Sequence, residues 1–495
     1  MIQDFLIQYS PRIVYRFDLI WPFVSIFLHT TVAFFTSIHI ILTKRDARSA
    51  AFWVGFLWLV PFLGVILYIF LGINRLQRRA ASYCNFKGAP SDKFDPDPHH
   101  RELTNLLPQE RKNLISLANF VDRTTTRRLL KGNSIWVLEN GDQAFPKMLE
   151  AIGQAKETIS MSSYLFDHDE IGIQFVESLL KAKNKGVQVR VLLDAVGIRY
   201  SKPRITKLLK NQKIPFALFN PKFFSFQKPY MNLRNHKKVL ILDGKEGFTG
   251  GMNIHKRNLI DENPKHPVKD LHFFIKGPVV SHLQENFATD WCYSTGEILQ
   301  GTTWFPKIQG EGKIFARGIN DGPDEDFWAM AWTLLGALHN AVESIVIVTP
   351  YFVPPPSILT AIRTAAKSGV KIDLIFPENN NLKTVKWASM ALLDYLAEEK
   401  NIQIWLTQGP FDHTKLMIVD HTWIMLGSGN WDMRSLRLNF EFNVECYDQK
   451  FAENLEKIVD KKLNNARKLT LNELLGRNLP TKIRDNIAKL FFPTL

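Results

Sequence analysis

Residues 236–243 read His-Lys-Lys-Val-Leu-Ile-Leu-Asp, and residues 413–420 read His-Thr-Lys-Leu-Met-Ile-Val-Asp. Both stretches follow one pattern, in which His, any residue and Lys precede four further residues and an Asp. An Asn in a Gly-rich stretch follows each His by 17 residues, as Asn253 in the first copy and Asn430 in the second. Because the spacing is equal in two copies that lie 177 residues apart, the sequence predicts an internal repeat with one half-site in each half.

The apolar residues of each copy, 239–242 and 416–419, predict a short buried strand. Residues i and i+2 of a strand point to the same side, so each His shares a face with the Lys two positions later. A lone His beside an apolar run is usually a structural histidine, and Lys and Asp at strand ends are usually solvated. The second copy with equal spacing argues against that reading and favours a chemical role.

These residue types suit a phosphodiester. Lys238 and Lys415 would place positive charge at the non-bridging oxygens, and Asn253 and Asn430 would add donors beside the backbone N–H groups of the Gly-rich stretches. One His can act as nucleophile and the other as general acid and then base, which divides the displacement into two steps. The sequence has no carboxylate cluster or Cys/His spacing typical of a metal site, so we predict neither a metal nor a cofactor.

The motifs resemble those of the phospholipase D superfamily, and nearly the whole chain resembles the bacterial cardiolipin synthases within it. The stretches that carry the resemblance are 235–238 (Asn-His-Lys-Lys), 250–254 (Gly-Gly-Met-Asn-Ile), 270–272 (Asp-Leu-His), Trp291, 350–354 (Pro-Tyr-Phe-Val-Pro), 434–441 (Arg-Ser-Leu-Arg-Leu-Asn-Phe-Glu) and 490–495 (Leu-Phe-Phe-Pro-Thr-Leu). The resemblance implies an enzyme that joins two phosphatidylglycerol molecules into cardiolipin and releases glycerol.

The resemblance also implies roles for individual residues. His236 would be the nucleophile that forms a phosphatidyl-histidine, while His413 would protonate the departing glycerol and later deprotonate the incoming hydroxyl. The phosphate would be held by Lys238, Lys415, Asn253 and Asn430. Glu441 follows His413 by 28 residues and resembles the acid that orients a catalytic His through its second ring nitrogen.

The two halves differ at two positions. Fifteen residues after the His, the second copy has Ser428 and the first has Gly251, so only the second half offers a hydroxyl to the substrate. The position equivalent to Glu441 in the first half is Pro264, and we therefore take Asp270 as the candidate partner of His236. The motif ends in Asp243 and Asp420, which we predict to be structural residues that end their strands and fix the following turn.

Outside the motifs, the chain shows a repeated order of strand, helix and strand. Strands over 158–166 and 344–352 carry Tyr164 and Tyr351, helices follow that end near a Gly, and apolar strands begin at 187 and 370. This order predicts an α/β fold of two phospholipase D-like domains on a pseudo-twofold, with both His motifs in a shared cleft. The tyrosines either line that cleft or belong to the core. The predicted parts are a membrane anchor (1–80), a linker (81–115), domain 1 (116–310) and domain 2 with a basic tail (311–495).

The amino-terminal part predicts a transmembrane helical hairpin. Residues 19–42 and 51–72 contain no charged side chain, and each run is long enough to span a bilayer. A cleaved signal peptide does not fit, because the first run is too long and a second one follows it. Five basic residues flank the hairpin and three lie in its loop, which favours the cell membrane with both ends, and the catalytic domains, on the cytoplasmic side. They are Arg12, Arg16, Arg75, Arg78 and Arg79, against Lys44, Arg45 and Arg48.

The composition indicates a globular protein with extra apolar segments and an anionic partner. The chain has 495 residues, 45% of them hydrophobic, and a net charge of +14, which suits nucleic acid or anionic lipid. Residues 461–495 hold eight Lys or Arg among apolar residues. They predict amphipathic helices that either lie on an anionic membrane or pack on domain 2. Cys84, Cys292 and Cys446 form an odd, scattered set that predicts no disulfide framework.

Three functions remain to be compared. The first is a membrane-bound phosphatidyltransferase that makes cardiolipin from phosphatidylglycerol. The second is a membrane-bound phospholipase D or phosphodiesterase that hydrolyses phospholipid or nucleic acid, although the hairpin gives no reason to expect nucleic acid. The third is a non-catalytic membrane scaffold, against which the intact His, Lys and Asn sets argue. Since both half-sites lie in one chain, catalysis requires no dimer, and the sequence favours no oligomeric state.

Overall fold

The computed structural model describes residues 2–44, 47–60, 62–72, 98–220, 233–323 and 328–491. The described residues up to 72 form one compact unit, and those from 98 onward form another. Several predicted features therefore lie outside the described residues, namely Arg45, Arg75, Arg78, Arg79, Cys84, the linker up to residue 97 and the end of the tail from residue 492.

The first unit is helical. Its elements are α1 (Ile2–Thr43), α2 (Ala47–Leu59), α3 (Leu63–Leu67) and one turn of π-helix (Tyr68–Gly72). Ile40 on α1 packs against Leu57, Val65 and Tyr68 in a small apolar core, and the indole N–H of Trp58 donates to the Ser37 hydroxyl over 3.2 Å. The two apolar runs therefore fold back on each other as predicted.

One helix in the described residues is long and apolar enough to cross a membrane, at Ile20–Thr43, and a shorter apolar helix covers Ser49–Leu59. The second predicted span, 51–72, is not one continuous helix. The first helix of this segment ends at Leu59, and Phe62 has a φ of 59°. The residue before Phe62 in the sequence is a proline, which has no N–H to donate to a helical hydrogen bond. Spanning by this second segment stays a prediction.

The second unit begins with α4 (Pro98–Leu106) and α5 (Asn113–Thr124). α4 lies wholly, and α5 partly, within the predicted linker 81–115. Leu103 and Leu107, one helical turn apart, are buried in the main core, because this spacing gives α4 an apolar face. Residues 98–115 are therefore part of the folded unit and not a linker.

Two similar halves follow. The elements of the first half are β1 (Leu130–Glu139), α6 (Asn140–Gln154), β2 (Thr158–Ser163), α7 (Glu170–Asn184), β3 (Gln188–Asp194), α8 (Ile205–Asn211), β4 (Phe216–Phe219), β5 (Arg234–Asn235), β6 (Val239–Leu242), β7 (Glu246–Gly250), β8 (Val268–Lys269), β9 (Leu271–Lys276) and α9 (Val280–Thr295). Those of the second half are β10 (Ile314–Asp321), α10 (Ala329–Asn340), β11 (Ser344–Val348), β12 (Phe352–Val353), α11 (Pro356–Lys367), β13 (Lys371–Pro377), α12 (Lys383–Ala397), β14 (Ile402–Thr407), β15 (Phe411–Asp412), β16 (Leu416–Val419), β17 (Trp423–Gly427), β18 (Trp431–Asp432), β19 (Asn439–Tyr447), α13 (Gln449–Leu463), β20 (Ala466–Lys468), α14 (Leu471–Leu475) and α15 (Leu479–Phe491).

One continuous sheet joins the halves, with β1 and β10 as the antiparallel pair at its centre. Outward from this pair, the strand order is β9-β7-β6-β2-β3-β4 on one side and β19-β17-β16-β11-β13-β14 on the other, with β20 at the edge. Apart from β20, each strand in this order thus has a counterpart in the other half. This confirms the predicted α/β fold of two related halves.

The predicted strand, helix and strand repeats are confirmed as β2-α7-β3 and β11-α11-β13, and both strand pairs are parallel. Gly186 and Gly369 follow the helices with φ of 93° and 101°, a left-handed conformation that glycine adopts without steric cost. The first strands end at Ser163 and Val348, so Tyr164 and Tyr351 lie just beyond them.

The short strands of the His motifs are buried on both faces of the sheet. Val239 and Ile241 of β6 pack in a core with α9, whereas Leu240 and Leu242 pack in another core with α6 and α7. The strand therefore alternates between two apolar layers, which is why it reads as a continuous apolar run.

The cysteines differ in part from the prediction. Cys446 is free and buried, but Cys292 is disulfide-bonded. The prediction of cysteines without disulfides is therefore wrong for Cys292, because separation along the chain says little about proximity in the fold.

Candidate active site

Each His motif is held by a strand of the other half. β5, directly before His236, pairs with the start of β19, while β15, directly before His413, pairs with β8. The backbone N–H of His236 donates to the carbonyl of Phe440 over 2.9 Å, and that of His413 donates to the carbonyl of Lys269 over 2.7 Å. The residues that follow these two carbonyls are Glu441 and Asp270.

Each histidine is paired with a carboxylate from the other half of the chain. Nδ1 of His236 lies 3.0 Å from each carboxylate oxygen of Glu441, and Nδ1 of His413 lies 2.8 Å from Oδ2 of Asp270. The prediction that Asp270 is the partner of His236 is wrong, because spacing along the chain assumes that His and acid belong to the same half. A carboxylate at Nδ1 holds the proton on that nitrogen and leaves Nε2 for chemistry.

Glu441 is a fully buried anion with several donors. Its oxygens accept hydrogen bonds from the hydroxyls of Ser428 (2.6 Å) and Ser435 (2.9 Å) and from the amide of Asn439 (3.1 Å). Burial opposes the charge, yet His236, Lys238 and the Ser428 hydroxyl outweigh it and lower the pKa of Glu441 to about 2. Ser428 donates to this acid, and its predicted contact with the substrate stays a prediction.

Asp270 has a poorer set of donors. Its Oδ1 accepts from the backbone N–H of Leu271 over 2.8 Å, and its Oδ2 contacts His413. Burial raises the pKa of Asp270 to about 7, although the charge of Lys415 acts in the opposite direction. A Cβ on Gly251 would lie 2.6 Å from Oδ1 of Asp270, which explains why the first half has no serine at the position of Ser428.

The two motif lysines are buried beside the histidines. Nζ of Lys238 donates to the carbonyl of His236 and Nζ of Lys415 to that of His413, each over 2.5 Å. Burial lowers the pKa of Lys238 to about 7 and that of Lys415 to about 8. Burial likewise lowers the pKa of His236 to about 4 and that of His413 well below its usual value, the latter with help from both lysines. Two lysines and two histidines thus lie buried beside one another, an arrangement suited to an anion.

The two asparagines lie close to the motifs and are buried. Oδ1 of Asn253 accepts from the backbone N–H of Leu165 over 3.1 Å, which fixes the orientation of its amide. Nδ2 of Asn430 donates to the Ser435 hydroxyl over 3.3 Å, while its buried Oδ1 has no hydrogen-bond partner among the described residues. The predicted role of both amides in holding a phosphate stays a prediction.

The two tyrosines contact the histidines instead of belonging only to the core. The ring of Tyr164 lies edge-on to that of His236 at 5.0 Å between centroids, and Nζ of Lys238 lies 5.5 Å from the Tyr164 centroid. Tyr351 lies 6.1 Å from the ring of His413, and its hydroxyl donates to Asn381 over 2.7 Å. Of the two roles that the sequence left open, the structure supports a position at the site.

The two motif aspartates are structural. Asp243 accepts from the backbone N–H groups of residues 156–158, and Asp420 accepts from those of residues 342–344. They thus fix the entry into the neighbouring strands β2 and β11, and their role in the following turn stays a prediction.

Behind each motif lies a buried ion pair that the sequence analysis missed. In the first half Asp290 on α9 accepts from Lys237 and Asn235, both over 2.9 Å. In the second half Lys462 on α13 donates to Asp412 over 2.5 Å and to Thr414 over 3.2 Å. The charges are reversed between the halves: the motif segment carries the cation Lys237 in the first and the anion Asp412 in the second.

Ser435 and Asn439 were also missed as supports of Glu441. A signal was present, because both lie in the stretch 434–441 that carries the family resemblance. Asn439 is two residues before Glu441 on β19 and therefore on the same face of that strand.

Comparison with known proteins agrees with this geometry. The family model "Cardiolipin synthase, PLD-like domain" matches residues 148–291 and 334–463, and the model "Phospholipase_D-nuclease N-terminal" matches residues 31–72. The chain is 29% identical over 461 residues to the major cardiolipin synthase ClsA of Bacillus subtilis (strain 168), with 91% of this chain and 95% of that protein covered. It is 30% identical over 478 residues to the cardiolipin synthase of Geobacillus kaustophilus (strain HTA426), with 95% and 93% covered.

Among solved structures, the phosphatidylserine synthase of Haemophilus influenzae Rd KW20 aligns with a TM-score of 0.61 at 15% identity, covering 78% of this chain and all of that one. This likeness concerns the fold alone. The duplicated sheet with a His-Lys pair at each half-site defines a protein of the phospholipase D superfamily. Within that superfamily the chain belongs to the cardiolipin synthase family.

Proposed function

We propose that this protein is a cardiolipin synthase that moves a phosphatidyl group from one phosphatidylglycerol to a hydroxyl of a second and releases glycerol. The family membership and the names of the relatives support this function. The observation that carries it is the buried cluster in which two histidines, each with a carboxylate at Nδ1, lie beside two lysines. A phosphodiester is the ligand that such a cluster fits.

In the first step Nε2 of His236 attacks phosphorus and the bond from phosphorus to the glycerol oxygen breaks. His413, protonated at Nε2 once the anionic phosphodiester is bound beside it, gives that proton to the oxygen, so glycerol leaves as the neutral alcohol. The histidine that is bonded to phosphorus carries a positive charge, which Glu441 balances as an anion. Lys238, Lys415 and the two asparagine amides stabilise the negative non-bridging oxygens.

In the second step a hydroxyl of the acceptor phosphatidylglycerol attacks phosphorus. His413 takes the proton of that hydroxyl, the bond between phosphorus and Nε2 of His236 breaks, and cardiolipin leaves. The same histidine thus serves first as acid and then as base, and both ends of the reaction are balanced in protons.

The difference between the two acids supports this assignment of roles. Glu441, with its pKa of about 2, stays ionised. It therefore suits a histidine that carries a positive charge for as long as the phosphohistidine intermediate exists. Asp270, whose pKa burial raises to about 7, lies at Nδ1 of the histidine that gains and loses a proton in each cycle.

We also propose that the protein resides in the cell membrane, with Ile20–Thr43 and the apolar segment after it as a hairpin. The catalytic region would lie on the cytoplasmic side, as the distribution of basic residues favours. The bilayer is then both the source of the substrates and the destination of the product.

Membranes that carry the full chain, incubated with phosphatidylglycerol and followed by mass spectrometry, test this function. We expect cardiolipin and free glycerol to rise together with the wild type and neither to rise with His236→Ala or His413→Ala. His339→Ala, at an exposed position on α10, is the matched control and should keep full activity. Phosphatidic acid without cardiolipin would instead indicate a hydrolase, and turnover in either active-site variant would contradict the two-histidine mechanism.

A further inference from the structure

The carboxy-terminal helix α15 has one face packed on the protein and another that is apolar and exposed. On the packed face Asp485 is 1% exposed and forms an ion pair with Arg477 over 2.6 Å, and Ala488 joins an apolar cluster with Val353, Val385 and Ala388. The helix is therefore fixed to α12 and is not a free tail.

The exposed face of α15 carries a continuous apolar stripe. Its members are Leu479 (69% exposed), Ile483 (51%), Ile487 (48%) and Leu490 (73%). At 3.6 residues per turn these four side chains fall within about 80° of one another. Arg484 borders the stripe on one side, and Lys482 and Lys489 border it on the other. This pattern is typical of a helix that lies in the interfacial region of a bilayer.

A short series of contacts connects the apolar stripe of α15 to the active site. Tyr351, whose ring faces His413, packs against the same apolar cluster as Ala488 of α15. The Tyr351 hydroxyl is bonded to Asn381, and the next residue, Leu382, is also an exposed apolar side chain. The second half-site thus lies on the side of the molecule where these apolar residues reach the surface.

We propose that the outer face of α15, consisting of Leu479, Ile483, Ile487 and Leu490 with its bordering cations, docks on an anionic phospholipid bilayer and holds the His413 side of the site at the lipid surface. The basic residues that border the stripe and the net charge of +14 favour an anionic lipid surface. A neutral lipid surface, or a protein partner without acidic residues, would not use these charges. The proposal rests on the proposed lipid substrate. The sequence left two roles open for the tail, packing on domain 2 and lying on a membrane. The proposal assigns both, because one face of α15 packs on the protein and the other meets the membrane.

A fluorescent reporter tests the contact independently of activity. An environment-sensitive fluorescent amino acid is placed at Ile487 of the full chain, or at Glu453 on the exposed side of α13 as a control, and the protein is reconstituted into vesicles of phosphatidylcholine with or without phosphatidylglycerol. We expect a blue shift and quenching by spin-labelled lipid at position 487, larger with phosphatidylglycerol, and no change at position 453. Equal spectra in detergent and in vesicles at position 487 would overturn the proposal, even if the enzyme makes cardiolipin.

Activity provides the second test. The double variant Ile483→Asp/Ile487→Asp is compared with Leu106→Asp/Ile298→Asp, whose parent side chains are similarly exposed, at 55% each. We expect the ratio of the rate in phosphatidylglycerol vesicles to the rate in mixed micelles to fall roughly tenfold in the first variant, and to stay at the wild-type value in the second. An equal fall in both would contradict a role for α15. Absence of cardiolipin from the wild type would refute the proposed function and leave the fluorescence result to decide on docking.

Discussion

Nδ1 of His413 lies 2.8 Å from Oδ2 of Asp270, although 143 residues separate them and they belong to different halves of the sheet. The reciprocal pair, His236 and Glu441, crosses in the opposite direction. Because each histidine depends on an acid from the other half, neither half contains a complete half-site. The site forms only when β5 and β15 pair with the strands of the opposite half.

The two acids should respond in opposite ways to neutralisation. The folded pKa of Asp270 lies above the ordinary value, so the ionised residue destabilises the fold at pH 8; Asp270→Asn should raise Tm there and change it little at pH 4. The folded pKa of Glu441 lies below the ordinary value, so its stabilisation is present above about pH 4.5 and is lost as the pH falls towards 2; Glu441→Gln should lower Tm at pH 8.

Both variants should nevertheless lower kcat by about 10² to 10⁴, because each loses the group that orients and charges a histidine. Thermal unfolding at pH 4 and pH 8, together with the rate of cardiolipin formation, checks this pair of predictions. A fall in Tm for Asp270→Asn at pH 8 would contradict the account of its burial.

Gly251 should not tolerate a side chain. Gly251→Ser places a Cβ within 2.6 Å of Asp270, displaces the carboxylate from His413, and should lower kcat by roughly 100-fold or more. Gly153→Ser is the matched control, because no atom of the part of the chain that the structure describes lies within 4 Å of a Cβ there. Wild-type kinetics for Gly251→Ser would show that the shape of this turn does not position Asp270.

Substrate capture should weaken at alkaline pH. The pKa values of Lys238 and Lys415, about 7 and about 8 in the empty site, mean that both are protonated below pH 7 and lose charge as the pH rises through 8. The phosphodiester stays anionic throughout, so KM should rise and kcat/KM should fall above pH 8. Initial rates from pH 6 to 9.5 check this, and a kcat/KM that rises over the upper part of this range would contradict it.

The ion pair behind the first motif should act as a unit. Lys237→Met leaves the carboxylate of Asp290 buried without its cation, which should lower the free energy of unfolding by about 3 to 5 kcal/mol. The double variant Lys237→Met/Asp290→Leu removes both charges and should recover most of that loss. Chemical denaturation in detergent measures both, and a double variant as unstable as the single one would argue that the pair is not the cause.

The sequence predicts much of the site because its chemistry is repeated. His236, Lys238, His413 and Lys415 follow from a pattern at equal spacing, and the strand and helix repeats follow from apolar periodicity and the two capping glycines. The second span was predicted as a single helix, since composition alone does not show where a helix is interrupted.

The pairing of histidines with acids did not follow from the sequence. Asp270 and Glu441 were both identified, but their exchange depends on strands of two residues, β5 and β15, which are too short to recognise from a pattern. The pair of Lys237 and Asp290 was missed for a related reason. Its members lie 53 residues apart on a strand end and a helix, and no periodicity links them.

The assignment of His236 as nucleophile and His413 as acid is tested most directly with a phosphatidyl p-nitrophenyl ester. This leaving group departs as a stable anion and needs no proton, so the first step should not require His413. The account predicts a rapid release of one p-nitrophenolate per protein from His413→Ala, with the phosphatidyl group retained on a peptide that contains residue 236, and no release from His236→Ala. Release from His236→Ala with an adduct on His413 would contradict it.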